Sequence, residues 1–416
     1  MYSPNPWMML PFGLLLACMA ALPLHWPDWW ERHYAKLALS LAALTIGYYV
    51  FVLPPAAWQR VNHTAWDYAG FITLIGSLYI VAGGIHLRAG GGGTPGRNTL
   101  FLALGGAAAN LLGTTGASML LIRPWLRMNQ ARAAAHHVVF FIFIVSNVGG
   151  GLTPMGDPPL LMGFLKGVPF WWVARHCGPT WLASMAFLLG VFYVVDRRHA
   201  ARARQPAAGT EWRLDYVQFF WGWRNVILLT IIIMAVIVPL AAILREGIMI
   251  AAAAASFFWT DGRAHEANGF SFRPMVEVAV LFFAIFATMM PAVDLLRGGA
   301  RELFGHDLST SEIYWGSGGL SAFLDSAPAY LAFLSAIAGG GLHGLREIPQ
   351  APIAALSVAT VLFGAVTYIG NGPNLMVKSI ADHAKVPSPG FAGYLFKWAV
   401  PVMLPLLVMV WMIFIR

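Results

Sequence analysis

The segment SNVGGGLTPMGDPPLLMGF (146–164) follows directly on the apolar run HHVVFFIFIV and brings an acid, a triple glycine and three prolines into otherwise apolar sequence. Its residue types suit a hard cation. Ser146, Asn147 and Thr153 carry neutral oxygens, Gly150 lets a backbone carbonyl approach an ion, and Asp157 supplies a negative charge or carries a proton. A second segment, TYIGNGPN (367–374), repeats the pattern with Thr367, Gly370, Asn371 and Asn374 but without an acid. MGDPPLLM (155–162) superposes on IGNGPNLM (369–376), which sets Gly156 on Gly370, Asp157 on Asn371 and Pro159 on Pro373. Two shorter polar clusters also stand between apolar runs. GTTG (113–116) offers the hydroxyls of Thr114 and Thr115, with Ser118 one turn on, and DSAP (325–328) offers Asp325 and Ser326. An acid at such a place is a functional-site candidate by default.

The elements that position these residues are membrane spans. The 416-residue chain is 58% hydrophobic with a mean hydropathy of +0.66. Only 11% of its residues are charged, against roughly a quarter in soluble domains. Seventeen Trp and twelve Tyr suit two aromatic belts. Apolar runs long enough to cross fall near 7–24, 35–53, 67–88, 173–195, 223–242, 246–259, 275–292 and 391–415, with two interrupted spans at 134–165 and 352–384. The first run lacks the positive flank of a signal peptide and reads as a span. Segments 98–128 and 312–337 each hold two apolar halves about 10–14 residues long around a polar tip, too short to cross singly, and read as re-entrant hairpins.

In order, these elements repeat. Residues 1–195 hold three spans, a hairpin, a broken span and a final span, and residues 223–416 hold the same list. The stretch 196–222 is a polar, basic linker. Five full spans per half is an odd number, so the second half enters the membrane upside down. With the N-terminus outside, eighteen of the 26 Lys and Arg fall on the linker side, which makes that side cytoplasmic. The expected fold is an all-α polytopic membrane protein of two inverted-topology repeats. Helices broken at membrane depth leave backbone groups that lipid cannot satisfy, so they survive where they line a wet cavity or bind an ion. A Pro/Gly kink in a packed helix would explain one break; the break at the same register in both halves favours the ion site.

Composition also removes other classes. The net charge of +8 follows loop topology rather than a nucleic-acid face, and two cysteines form no disulfide framework. Twelve scattered His without metal-ligand spacing leave no enzyme signature. Paired hairpins favour alternating access over a continuous pore. Glu277, His136, His137, Lys166 and Lys378 read as interfacial residues.

The run GGGLTPMGDPP (149–159) resembles the GG-x-x-T-x-x-G-x-P-P signature of the ion-transporter superfamily. That group includes divalent-anion/sodium symporters, arsenite permeases, citrate–cation transporters and a branch of sodium/proton antiporters. The chain is most similar to the short bacterial proteins described as citrate transporters or sodium:proton antiporters. The resemblance implies a homodimer in a bacterial inner membrane, with a scaffold and a moving transport domain working as an elevator. In the symporters each hairpin tip carries a Ser-Asn-Thr triplet; here the tips read Gly113-Thr114-Thr115 and Asp325-Ser326-Ala327. The leading expectation is therefore sodium/proton antiport, with Na⁺ among Thr114, Thr115, Asn147 and the Gly150 carbonyl, and Asp157 and Asp325 alternating between proton and cation. The alternative is sodium- or proton-coupled uptake of citrate or another di- or tricarboxylate. No cofactor beyond Na⁺ or H⁺ is expected, and the bilayer is the remaining partner.

Overall fold

Apolar runs without helix breakers fold as helices in the computed structural model, which describes residues 4–87, 92–202, 220–238, 240–260, 262, 265–266, 270–295, 306–323, 326–338 and 350–416. The first group is α1 (Leu10–His25), α2 (Pro27–Phe51), α3 (Trp58–Gly83) and the long run α4 (Pro95–Met128). The first break lies between α5 (Ala135–Ile144) and α6 (Pro158–Leu165), and α7 (Trp172–Arg202) closes this half. Then come α8 (Trp223–Ile237), α9 (Ala242–Trp259), α10 (Arg273–Thr288) and α11 (Met290–Leu295). A helix pair, α12 (Thr310–Phe323) and α13 (Ser326–Ala338), precedes α14 (Gln350–Phe363), the second break, α15 (Gly372–His383) and the terminal span α16 (Phe391–Ile415). Among the described residues, the extended structure is one two-residue antiparallel bridge, His86–Leu87 with Phe220–Trp221.

Among the described residues, seven helices are long and apolar enough to cross a bilayer, which makes this a multi-span membrane protein. One of the seven, α4, does not cross as a single rod. Gly113 sits at φ 74°, ψ 152°, a conformation that needs glycine, and the chain reverses there. Phe101 and Trp125 would lie about 36 Å apart on a straight helix, yet their rings stack at 5.4 Å. Asn98 donates to Asn129 Oδ1 at 2.7 Å across the same seam. Residues 98–128 are thus a helical hairpin with its tip at Gly113. α12 and α13 double back likewise: a Cβ on Gly316 would come within 2.9 Å of the Phe333 ring.

Span edges differ from the hydropathy reading. Helix α2 starts at Pro27 rather than 35, and α3 at Trp58 rather than 67. Their first two turns hold Glu31, Arg32, Arg60 and His63, polar residues that a hydropathy window cuts from the span. At the other end, α7 continues through Arg202, and Asp196 is fully buried, so the first residues of the 196–222 stretch are helical rather than loop.

The broken helices occupy the interior. Every residue from Val138 to Val145 is 0% exposed, because α5 is apolar all round and touches protein on every side. Helices α1, α2 and α10 share a separate apolar cluster of Leu15, Ala38, Ala42, Ala284 and Ile285. Other residues of these helices, Leu16, Trp30 and Phe282 among them, face the hairpin and the second break across a cavity.

Candidate functional site

The break between α5 and α6 is held open by glycines. A Cβ on Gly156 would strike the Gly150 carbonyl oxygen, and one on Gly150 would lie 2.6 Å from the Gly156 carbonyl oxygen. The second break repeats this geometry: a Cβ on Gly370 would lie 2.7 Å from the Gly364 carbonyl oxygen. Each loop is pinned by one threonine. The Thr153 hydroxyl accepts from Gly156 N–H at 3.1 Å and donates to the Asn110 carbonyl. Thr367 accepts from Gly370 N–H, also at 3.1 Å, and donates to the Ala322 carbonyl. Asp157 and Asn371 then occupy the N-cap positions of α6 and α15 with nearly the same backbone angles.

These matched loops meet at Asp157, which is 1% exposed. Its Oδ1 accepts from the Thr114 hydroxyl at 3.2 Å and from Asn371 Nδ2 at 3.0 Å. The same amide nitrogen of Asn371 lies 3.2 Å from the Ser146 carbonyl and 3.2 Å from Asn147 Oδ1. Asn147 donates to Asn374 Oδ1 at 2.7 Å, and Asn374 donates to the Gly364 and Thr367 carbonyls. Ser118 and Ser146 share a hydroxyl–hydroxyl bond of 2.7 Å. A cavity of about 30 Å³ opens beside the acid, lined by Gly113, Thr114, Thr115 and Asp157. That volume suffices for one water-sized guest.

Of the residues marked by sequence, the fold thus brings Thr114, Ser118, Ser146, Asn147, Asp157, Asn371 and Asn374 into one connected polar cluster, with Thr115 on the cavity wall. Gly150 and Gly370 serve close backbone packing, and Thr153 and Thr367 commit their hydroxyls to the loop backbones. Ser326 is fully buried, and its hydroxyl has no hydrogen-bond partner among the described residues. Asp325 lies outside the described residues.

Beside this centre is a cavity of about 490 Å³ between the two groups of helices. Its hairpin wall is Thr115, Met119 and Arg123, spaced by four residues and so on one helical stripe. Asn371, Met376 and Ser379 of α15 and its cap face it, while Trp30, Glu277 and Phe282 belong to the separate group. Thr115 and Tyr79 line both cavities, and Asn371 joins the large one to Asp157 through its amide.

A family described as "Putative citrate transport" matches residues 3–415. The chain belongs to this family. It is a membrane transporter by that membership and by its seven apolar helices. A comparison with curated proteins finds no match.

Several residues of the transporter escaped sequence reading. Asn110 bridges the hairpin to the break: Nδ2 donates to the Gly149 carbonyl at 2.7 Å, and Oδ1 accepts from Leu152 N–H at 2.9 Å. An amide inside the apolar arm LALGGAAANLL was the signal for it. His136 and His137, expected at the headgroups, are instead buried around Asp196, with Nε2 to Oδ1 distances of 3.0 and 3.1 Å. Arg132 grips the same carboxylate with two bonds, of 2.7 and 2.8 Å, and Asn98 adds a third donor. His137 Nδ1 accepts the Ala134 N–H, which puts its proton on Nε2, facing Asp196. These three residues could converge on a metal by distance. However, the carboxylate already holds a guanidinium and three further donors, so the cluster reads as a clasp on the hairpin base. Lys166, expected to snorkel, is 8% exposed and pairs with Asp67 of α3. Glu277, expected at the interface, lines the large cavity.

Proposed function

We propose that this transporter couples the movement of a small carboxylate to a cation bound at Asp157. The observation that carries the reading is Asn371, whose amide donates to Asp157 while the residue forms part of the wall of the 490 Å³ cavity. Asp157 is a buried carboxylate that already accepts from the Thr114 hydroxyl and the Asn371 amide, and Na⁺ or H⁺ bound there would offset more of the cost of burying its charge. Loading the acid would release or reorient the Asn371 amide, so cation and cargo report on each other through one side chain. The 30 Å³ cavity offers the ion its place among Thr114, Thr115 and Asp157. The matched Thr153/Thr367 and Gly150/Gly364 geometry supports two inverted repeats, 1–195 and 223–416. In this reading the hairpins and broken helices slide as an elevator past the α1–α2–α10 group, in a homodimer of the bacterial inner membrane with the 196–222 linker cytoplasmic.

A second reading is sodium/proton antiport at the same acid. It is favoured by the hairpin tips, which lack the Ser-Asn-Thr triplets of the symporters.

Purified transporter in liposomes, with an internal pH dye and radiolabelled citrate, tests both. An inward Na⁺ gradient is expected to drive citrate accumulation, and Asp157→Asn to abolish it. Accumulation unchanged in Asp157→Asn would sink the coupling role. A Na⁺-evoked pH change without citrate movement would promote antiport.

A further inference from the structure

The large cavity is lined by a cation, Arg123, with an N–H group left unmatched among the described residues. Arg123 lies on the second arm of the hairpin, two turns beyond Thr115 on the same stripe, and lines the cavity. Its Nη1 is buried yet has no hydrogen-bond partner among the described residues. The charged and titratable groups described around it do not neutralise it. Arg127, one turn on, carries the same charge, and the hydroxyl of nearby Tyr79 is committed to the Ser271 carbonyl at 2.8 Å. Glu277, the acid on the opposite wall, is engaged by Trp30 of its own group and interacts with Arg273 and Glu31. Arg123 is half-buried, and leaving its buried Nη1 without an acceptor is unfavourable unless something arrives to match it.

We infer that Arg123 is the anchor for an oxyanion of the cargo, taking one carboxylate in its planar fork while Thr115 and Asn371 meet the polar groups at the cargo's other end. A guanidinium suits this task because two parallel N–H donors match the two oxygens of a carboxylate. The stripe Thr115–Met119–Arg123 spans two helical turns, about 12 Å at 1.5 Å per residue, room for a short polycarboxylate. Because Arg123 rides on the same hairpin whose tip touches Asp157, anion and cation would load onto one moving element. This assignment rests on the carboxylate reading above and sharpens it to one residue.

The test is equilibrium binding by calorimetry on purified full-length protein in detergent with saturating Na⁺. Citrate, succinate and inorganic phosphate serve as separate probes. Wild type is expected to bind citrate saturably. Arg123→Gln is expected to weaken citrate binding by about 30-fold or more, in line with loss of a charge-assisted bidentate contact. Arg123→Lys should recover part of that loss, since it restores charge without the fork. Arg127→Gln, an exposed neighbour, should bind as wild type does, and helical circular dichroism with size-exclusion profiles reports folding. Citrate affinity unchanged in a folded Arg123→Gln overturns the Arg123 assignment alone. Wild-type protein that binds none of the three anions overturns the cargo reading together with it. Phosphate bound more tightly than either carboxylate overturns the carboxylate class while keeping Arg123 as an anion site.

Discussion

At the scale of single residues, the two breaks differ where it matters. Asp157 and Asn371 share a register, a backbone conformation and a following proline-bearing turn, yet only one carries charge. Their direct contact makes the asymmetry chemical: the neutral copy donates to the charged one at 3.0 Å. Asn147 ties the two breaks together through Asn374 at 2.7 Å. Removing Asn147 leaves the Ile142 carbonyl and Asn374 Oδ1 without that donor. Asn147→Ala and Asn374→Ala are each expected to cost about 1–3 kcal/mol. Their double variant should cost less than the sum, since each single change already breaks the shared bond. Thermal unfolding in detergent checks this; strict additivity would show that the contact carries no coupling.

At the scale of elements, the hairpin is where hydropathy and structure part. The arms were legible in sequence because each is too short to cross and the tip is polar. The breaks were legible from Gly, Pro and one acid repeated in register. Arg123, by contrast, was not singled out, because an arginine within LLIRPWL has no one-dimensional signal separating a membrane edge from a cavity wall. His136, His137 and Asp196 were missed for a related reason: their partners lie about sixty residues away, and pairing across that distance is set by packing. Gly113, at positive φ, admits alanine only with strain, so Gly113→Ala should lose about 1–3 kcal/mol. A melting temperature matching wild type would refute that. The Lys166–Asp67 pair joins α3 to the residue that caps α6. Breaking such a pair strands the remaining charge, so Lys166→Met and Asp67→Asn are each expected to destabilise by about 3–5 kcal/mol, while the double variant recovers much of the loss. Equal midpoints for the singles and the double would discount the pair.

At the scale of the whole molecule, orientation governs which compartment meets the cavity first. Placing the linker in the cytoplasm puts eighteen of 26 cationic side chains on that face. Protease added to inverted membrane vesicles is therefore expected to cut within the 196–222 linker, and added to right-side-out vesicles to spare it. Cleavage in right-side-out vesicles would reverse the topology.

The hairpin is fastened very differently at its two ends. Its base is riveted by Arg132, Asn98 and two histidines around Asp196. Its tip rests on the Thr114 N–H bond to the Gly156 carbonyl and on the Thr114 hydroxyl contact with Asp157. Amide deuterium uptake should follow that gradient, slow near Asn129 and faster around Thr114. Because the tip leans on Asp157, occupying the acid alters one of the contacts that hold it. Na⁺ should then change exchange at Thr114 and Thr115 and leave Asn129 alone, making the tip a built-in gauge of whether the ion is aboard.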